Sequence, residues 1–147
     1  MGLVHARTYL KGYLMAIEKT FIMIKPDAVR DRKIGEIVAR IERSACHRAH
    51  GDDHARARYR RGALRPSGRQ ALLWRSLRLM TSGPVVKMVV SGLSAVAKMR
   101  TLMGATNPLD AAPGTIRGDF AVDVNANVIH GSDCLENAEI EIKRFFG

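Results

Sequence analysis

At 147 residues the chain has room for one compact domain with a usable core, and no run approaches the roughly 18 apolar residues that a membrane helix needs. Its 24 Lys and Arg against 14 Asp and Glu give a formal charge of +10, which by itself points to a polyanionic partner. Nine of the arginines fall between residues 44 and 79 against only Asp52 and Asp53, so the excess belongs largely to one segment.

Met1 to Leu14 carries Arg7 and Lys11 without a continuous apolar stretch or a small-residue cleavage site, which argues against a secretory signal. Ala6 lacks the hydroxyl that a myristoylation motif places after Gly2. Met15 is read as the true start of the domain, with residues 1–14 an N-terminal extension. Cys46 and Cys134 are too few for a disulfide framework and have no C-x-x-C spacing, so a reducing, cytoplasmic setting is expected.

Within IEKTFIMI, Thr20 to Ile24 reads as a buried strand that stops at Lys25-Pro26-Asp27, because proline has no N–H for the ladder. Asp31 reads as the N-cap of a helix in which Ile34, Ile37, Val38 and Ile41 share one face. From Ser44 to Leu79 neither a period of 2 nor of 3.6 is sustained, and Arg, Ala, Gly and His dominate. Cys46, His47, His50, Asp52 and His54 crowd its start. Gly51 interrupts them and the paired ligands of a structural zinc site are missing, so no metal centre is expected there.

After a turn at Thr81 to Pro84, Val85 to Val90 predicts a second strand, and Ser94 to Met103 a helix with Val96, Met99 and Met103 on one side. Residues 107–117 predict a loop punctuated by Pro108, Pro113 and Gly114, and Phe120 to Val124 a third strand. Asp133 with Glu136 resembles a capping box for a last helix whose apolar face is Leu135, Ala138, Ile142 and Phe145. Met23, Met88, Met99 and Met103 are read as core filler. The order predicts an α/β or α+β domain with helices covering a sheet.

No GxxxxGK[ST] loop and no GxGxxG is present, so any bound phosphate must be met mainly by side chains. Suitable ones stand at the ends of predicted elements: Lys25, Arg100, Thr106, Arg117, Asn127 and His130. Guanidinium groups fit phosphate oxygens in a bidentate fork. A neutral imidazole, with an ordinary pKa of about 6.5, attacks phosphorus at neutral pH without prior deprotonation. Taken singly, His130 reads more simply as a surface or structural histidine, Arg100 as a solvated helix residue and Arg117 as a loop cation, and Thr106 reads also as turn chemistry beside Asn107-Pro108. Glu141 falls at the margin of the last helix's apolar face, where a carboxylate is costly without a partner; an exposed helix charge is the competing reading.

Five blocks in succession, MAIEKTFIMIKPDAV, TSGPVV, R-x-x-M-G-A-T-N-P, APGTIRGDF and NVIHGSD, resemble the signature blocks of nucleoside diphosphate kinases, in that family's order. They span about residues 15–43 and 80–147. The resemblance implies that His130 takes the γ-phosphate of a triphosphate such as ATP and passes it to a diphosphate in a ping-pong cycle. It implies that Arg100, Thr106 and Arg117 grip the distal phosphates, that Lys25 and Asn127 reach the sugar hydroxyls and the transferring phosphate, and that Ser132 and Glu141 orient the histidine. Mg²⁺ would be held mainly by the nucleotide's own phosphates. The implied fold is ferredoxin-like, βαββαβ, a four-stranded antiparallel sheet with helices on one face, assembled as a homo-oligomeric tetramer or hexamer.

The family places a strand, a helical hairpin, a tyrosine near the histidine and a base-stacking phenylalanine between its first helix and TSGPVV. Here that span keeps about the usual length and none of the sequence. Tyr59 has no matching context, and Trp74 is the candidate for stacking on the base. Abrupt edges and lost identity at constant length suggest a stretch read out of frame from about Ala45 to Leu79. Each missing core anchor forfeits roughly 1.5–3 kcal/mol of a margin of about 5–15 kcal/mol, so weak folding and weak phosphorylation are expected of this chain. The rival expectation is a nucleic-acid-binding protein using the arginine-rich segment, but no recognisable module and little aromatic interleaving accompany it.

Overall fold

In the computed structural model, which describes residues 9–10, 13–14, 17–45 and 82–146, the run Ile17–Ile24 is the central strand of a three-stranded antiparallel sheet. Two short strands precede it and pair with each other, β1 (Tyr9–Leu10) and β2 (Tyr13–Leu14), so the central strand is β3. Its neighbours are β4 (Val86–Leu93) on one side and β5 (Ile129–Gly131) on the other. The register sets Met23 between Lys87 and His130, and Ile22 between Met88 and Gly131.

Side chains alternate along a strand, so β3 feeds two different cores. Ile22 and Ile24 join Val86, Met88, Val90 and Ile129 beneath helices α2 (Ile34–Ala45) and α3 (Ala95–Met103), which contribute Ile37, Ile41, Met99 and Met103. Phe21 and Met23 face the opposite way and meet Ile142, Phe145 and Phe146. Those belong to the last helix, α5 (Leu135–Phe146), and Phe21 stacks on Phe145 with ring centroids 4.7 Å apart. Helices therefore cover both faces of the sheet, not one. The cause is legible in β3 itself, where Thr20 to Ile24 are all buried and each face needs its own cover.

The four buried methionines do fill the core, and Ile34, Ile37, Val38 and Ile41 do pack inward. Three expectations fail locally. Asp31 does not open α2; it closes a one-turn helix, α1 (Pro26–Arg30), that begins on Pro26, whose missing N–H costs nothing at that position. Phe120 to Val124 is not a strand. Phe120 ends a short helix, α4 (Ile116–Phe120), and Val122 and Val124 are exposed in the loop beyond it. That loop is turned by Asp123, whose Oδ1 accepts the N–H groups of Asn125 and Ala126 at 2.6 and 2.9 Å. The strand falls later, at Ile129–Gly131. Leu135, expected on the inward face of α5, is 49% exposed.

Among the described residues the main sheet has three strands. The span expected to supply the fourth lies outside them, together with Tyr59, Trp74 and the Cys46 to His54 cluster. No helix of the described residues is long and apolar enough to cross a membrane.

Candidate active site

His130 is the middle residue of β5, and the strand's alternation turns it to the face covered by α5. One helical turn beyond Ala138, α5 presents Glu141, and its Oε1 meets His130 Nε2 at 2.7 Å. The other carboxylate oxygen accepts the Ser132 hydroxyl at 2.6 Å. Ser132 is itself fixed to β3, since its N–H donates to the Phe21 carbonyl at 3.1 Å and its Oγ accepts the Phe21 N–H at 3.3 Å. Burial works against the Glu141 carboxylate, but the hydrogen bonds from His130 and Ser132 outweigh it and hold the group below the usual carboxylate range. An ionised carboxylate only accepts, so Nε2 carries the proton and a neutral His130 ring keeps its lone pair on Nδ1. The ring is 35% exposed, open enough to meet a ligand.

A cationic cluster is built from the other ends of the same elements. Lys25 follows β3 directly and is buried, and its Nζ donates to Asn127 Oδ1 at 2.5 Å. Asn127 passes the link on, donating from Nδ2 to the Thr106 carbonyl at 3.2 Å. Burial lowers the Lys25 pKa; Asp27 opposes this and Arg117 adds to it. Arg117 is also buried, with Nη1 donating to the Gly104 carbonyl at 2.9 Å and Nη2 to the Ile129 carbonyl at 2.8 Å. Its pKa too is lowered, first by burial and then by Arg100, an exposed residue of α3.

Local sequence explains why Arg117 stands there. Thr115 caps α4 by accepting the Gly118 N–H at 3.1 Å. Gly104 lies against that cap at a φ of 80°, and any Cβ on it would collide with Thr115 Oγ1, so only glycine fits. Arg40 of α2 ties the same helix down, meeting Asp119 at 2.7 Å and covering the Phe120 ring at 4.6 Å from its centroid.

The fold thus gathers the sequence candidates into two linked groups. His130, Glu141 and Ser132 form one; Lys25, Asn127, Thr106, Arg117 and Arg100 form the other, and Arg117 joins them through the carbonyl that precedes His130. Thr106 enters through its backbone carbonyl, with its side chain exposed. Sequence reasoning missed Asp27 and Val128. Asp27 is 3% exposed, and its Oδ2 accepts the Val128 N–H at 3.1 Å. Val128 holds a φ of 61°, which no composition or periodicity announces. The signal for Asp27 was its place in Lys25-Pro26-Asp27, a charged residue next to a buried strand.

Comparison with known proteins bears on the family of the chain. The family model described as "Nucleoside diphosphate kinase" matches residues 18–147. The nucleoside diphosphate kinase of Thermobifida fusca is 44% identical over 137 residues, covering 88% of this chain and 97% of its own. Human nucleoside diphosphate kinase 3 is 44% identical over 137 residues, covering 89% and 78%. Among solved structures, the apo nucleoside diphosphate kinase of Encephalitozoon cuniculi superposes with a TM-score of 0.75 at 38% identity, over 88% of this chain and 89% of that one.

Proposed function

The chain belongs to the nucleoside diphosphate kinase family of phosphotransferases, and on that premise we propose that it moves a γ-phosphate between nucleotides through His130. In the first half-reaction Nδ1 attacks the γ-phosphorus of a triphosphate such as ATP. The N–P bond forms as the bond to the β,γ-bridging oxygen breaks, and the diphosphate leaves. In the second, a terminal oxygen of an acceptor diphosphate attacks the phosphohistidine and His130 is regenerated.

The observation that carries this reading is the Glu141 bond to Nε2, which favours the tautomer with a nucleophilic Nδ1. Glu141 also stabilises the positive charge that the ring acquires as the N–P bond forms. Arg100, Arg117 and Lys25 supply charge for the phosphates, and Asn127 holds Lys25 in place for the sugar hydroxyls or the transferring group. Thr106 contributes from the loop that Asn127 anchors. This lining, with Lys25, Arg100 and Arg117, suits an anionic nucleotide. Mg²⁺ is read as entering with the nucleotide, held mainly by its phosphates.

We further read the protein as cytoplasmic and as a homo-oligomer, a tetramer or hexamer; Leu109 and Val122, 93% and 82% exposed, are apolar surface that assembly can cover. Incubation with γ-labelled ATP should give an acid-labile, alkali-stable phosphoprotein that discharges onto added diphosphate and is absent in His130→Ala. Label retained by that variant would overturn the assignment.

A further inference from the structure

We propose that Asp27 is a positioning residue for phosphoryl transfer, its carboxylate clamping Val128 in the left-handed conformation that sets where Asn127 and His130 stand. The proposal rests on the kinase reading above and assigns a role that reading does not need.

Val128 is β-branched, and at a φ of 61° it occupies a region that such residues avoid, because the Cβ substituents meet their own backbone. Three hydrogen bonds hold it there. Its N–H donates to Asp27 Oδ2 at 3.1 Å, its carbonyl accepts the Lys25 N–H at 2.9 Å, and the Ile129 N–H closes back onto the Asn127 carbonyl at 2.7 Å. The last is an i to i+2 bond across Val128, which makes residues 127–129 a γ-turn of the strained, positive-φ kind. Strain of this sort persists only where surrounding structure enforces it.

The turn lies between the two groups of the site. Asn127, on its near side, carries the link from Lys25 to Thr106. His130 follows two residues after Val128, and Ile129 between them lends its carbonyl to Arg117. Relaxing Val128 would rotate the peptides on both sides and swing Asn127 and His130 relative to each other.

Other roles for Asp27 fit less well. Among the described residues it forms no ion pair within 4.0 Å, and its Oδ1 has no hydrogen-bond partner. A carboxylate so deeply buried is expensive. Its one side-chain hydrogen bond among those residues goes to the strained position.

The test compares the single-turnover rate of His130 labelling with the thermal midpoint in four proteins: wild type, Asp27→Ala, Asp27→Asn and Asp27→Ala/Val128→Gly. Misplacement of reacting groups by about 1 Å can cost about 100-fold, so Asp27→Ala is expected to label about 10- to 100-fold more slowly. Asp27→Asn keeps an accepting oxygen and should stay within a few-fold of wild type. Glycine adopts a positive φ freely but removes a buried side chain. Adding Val128→Gly should therefore recover much of the rate while lowering the midpoint further, a divergence that a purely structural role cannot produce. Should Asp27→Ala fail to fold, Asp27→Leu with and without Val128→Gly carries the same comparison, because leucine fills the buried space and removes the acceptor. A wild-type rate in Asp27→Ala, or no recovery with glycine, overturns the clamp alone. A wild type that takes no label on His130 overturns the kinase reading and the clamp with it.

Discussion

Glu141 holds His130 across eleven residues of chain, its Oε1 lying 2.7 Å from the ring's Nε2 while its Oε2 takes the Ser132 hydroxyl at 2.6 Å. One carboxylate thereby fixes both the tautomer of the ring and the distance between α5 and β5. A side chain engaged at both oxygens has little freedom to turn, and neither has the imidazole that it holds.

The acid limb of stability should report this group. Its carboxyl sits below the ordinary carboxylate range in the folded chain, so the folded state binds its proton less readily than the unfolded state does. The contribution is complete above the unfolded pKa, about 4.3, and is lost as pH falls through the lower folded value. Thermal midpoints of wild type and Glu141→Gln measured from pH 6 to pH 3 should differ most at the upper end and converge below the usual range. A constant gap would show that the carboxylate's charge plays no part.

Ser132→Ala removes a hydroxyl that serves two elements. The buried Phe21 N–H loses the Ser132 oxygen that accepts it, and Glu141 loses one of its two donors. Leaving buried polar groups unsatisfied costs about 1–3 kcal/mol, equivalent to a fall of several degrees in the thermal midpoint. His130 labelling should slow as well, since Glu141 is then held at one oxygen. An unchanged midpoint in calorimetry would contradict the bridge.

Arg100 and Arg117 should separate binding from stability. Arg100 is exposed, so Arg100→Ala should leave stability within about 0.5 kcal/mol of wild type while weakening nucleotide binding. Arg117 is buried and donates to the carbonyls of Gly104 and Ile129. Arg117→Ala should therefore lower both the midpoint and the affinity, and Arg117→Lys should not restore them, because one ammonium cannot span two carbonyls as the planar fork does. Isothermal titration with ADP alongside calorimetry distinguishes the two residues. Equal effects on stability would count against the placement of Arg117.

Much of this site is legible in the chain's own residues. His130, Glu141, Ser132, Lys25, Arg117 and Asn127 each carry a side chain whose chemistry is scarce in a core and specific in its motif. The helix faces of α2 and α3 are equally readable, because a 3.6-residue apolar period needs only local sequence. Phe120 to Val124 misleads for the opposite reason. Alternating apolar residues look like a strand whether or not another strand is there to pair with them, and here the Asp123 turn claims the backbone instead.

Sequence alone determined which groups the motifs offer: the imidazole of His130, the carboxylate of Glu141 and hydroxyl of Ser132, and the cations Lys25, Arg100 and Arg117. Tertiary structure decided how they meet. Hydrogen bonds across more than a hundred residues, Lys25 to Asn127 and Val128 to Asp27, tie the end of β3 to the approach of β5. So does the positive φ of Val128, which depends on the partners that surround it and not on its own preference. Local propensities are summed over neighbours in the chain, whereas a strained backbone is held by neighbours in space, and only the folded molecule brings those together.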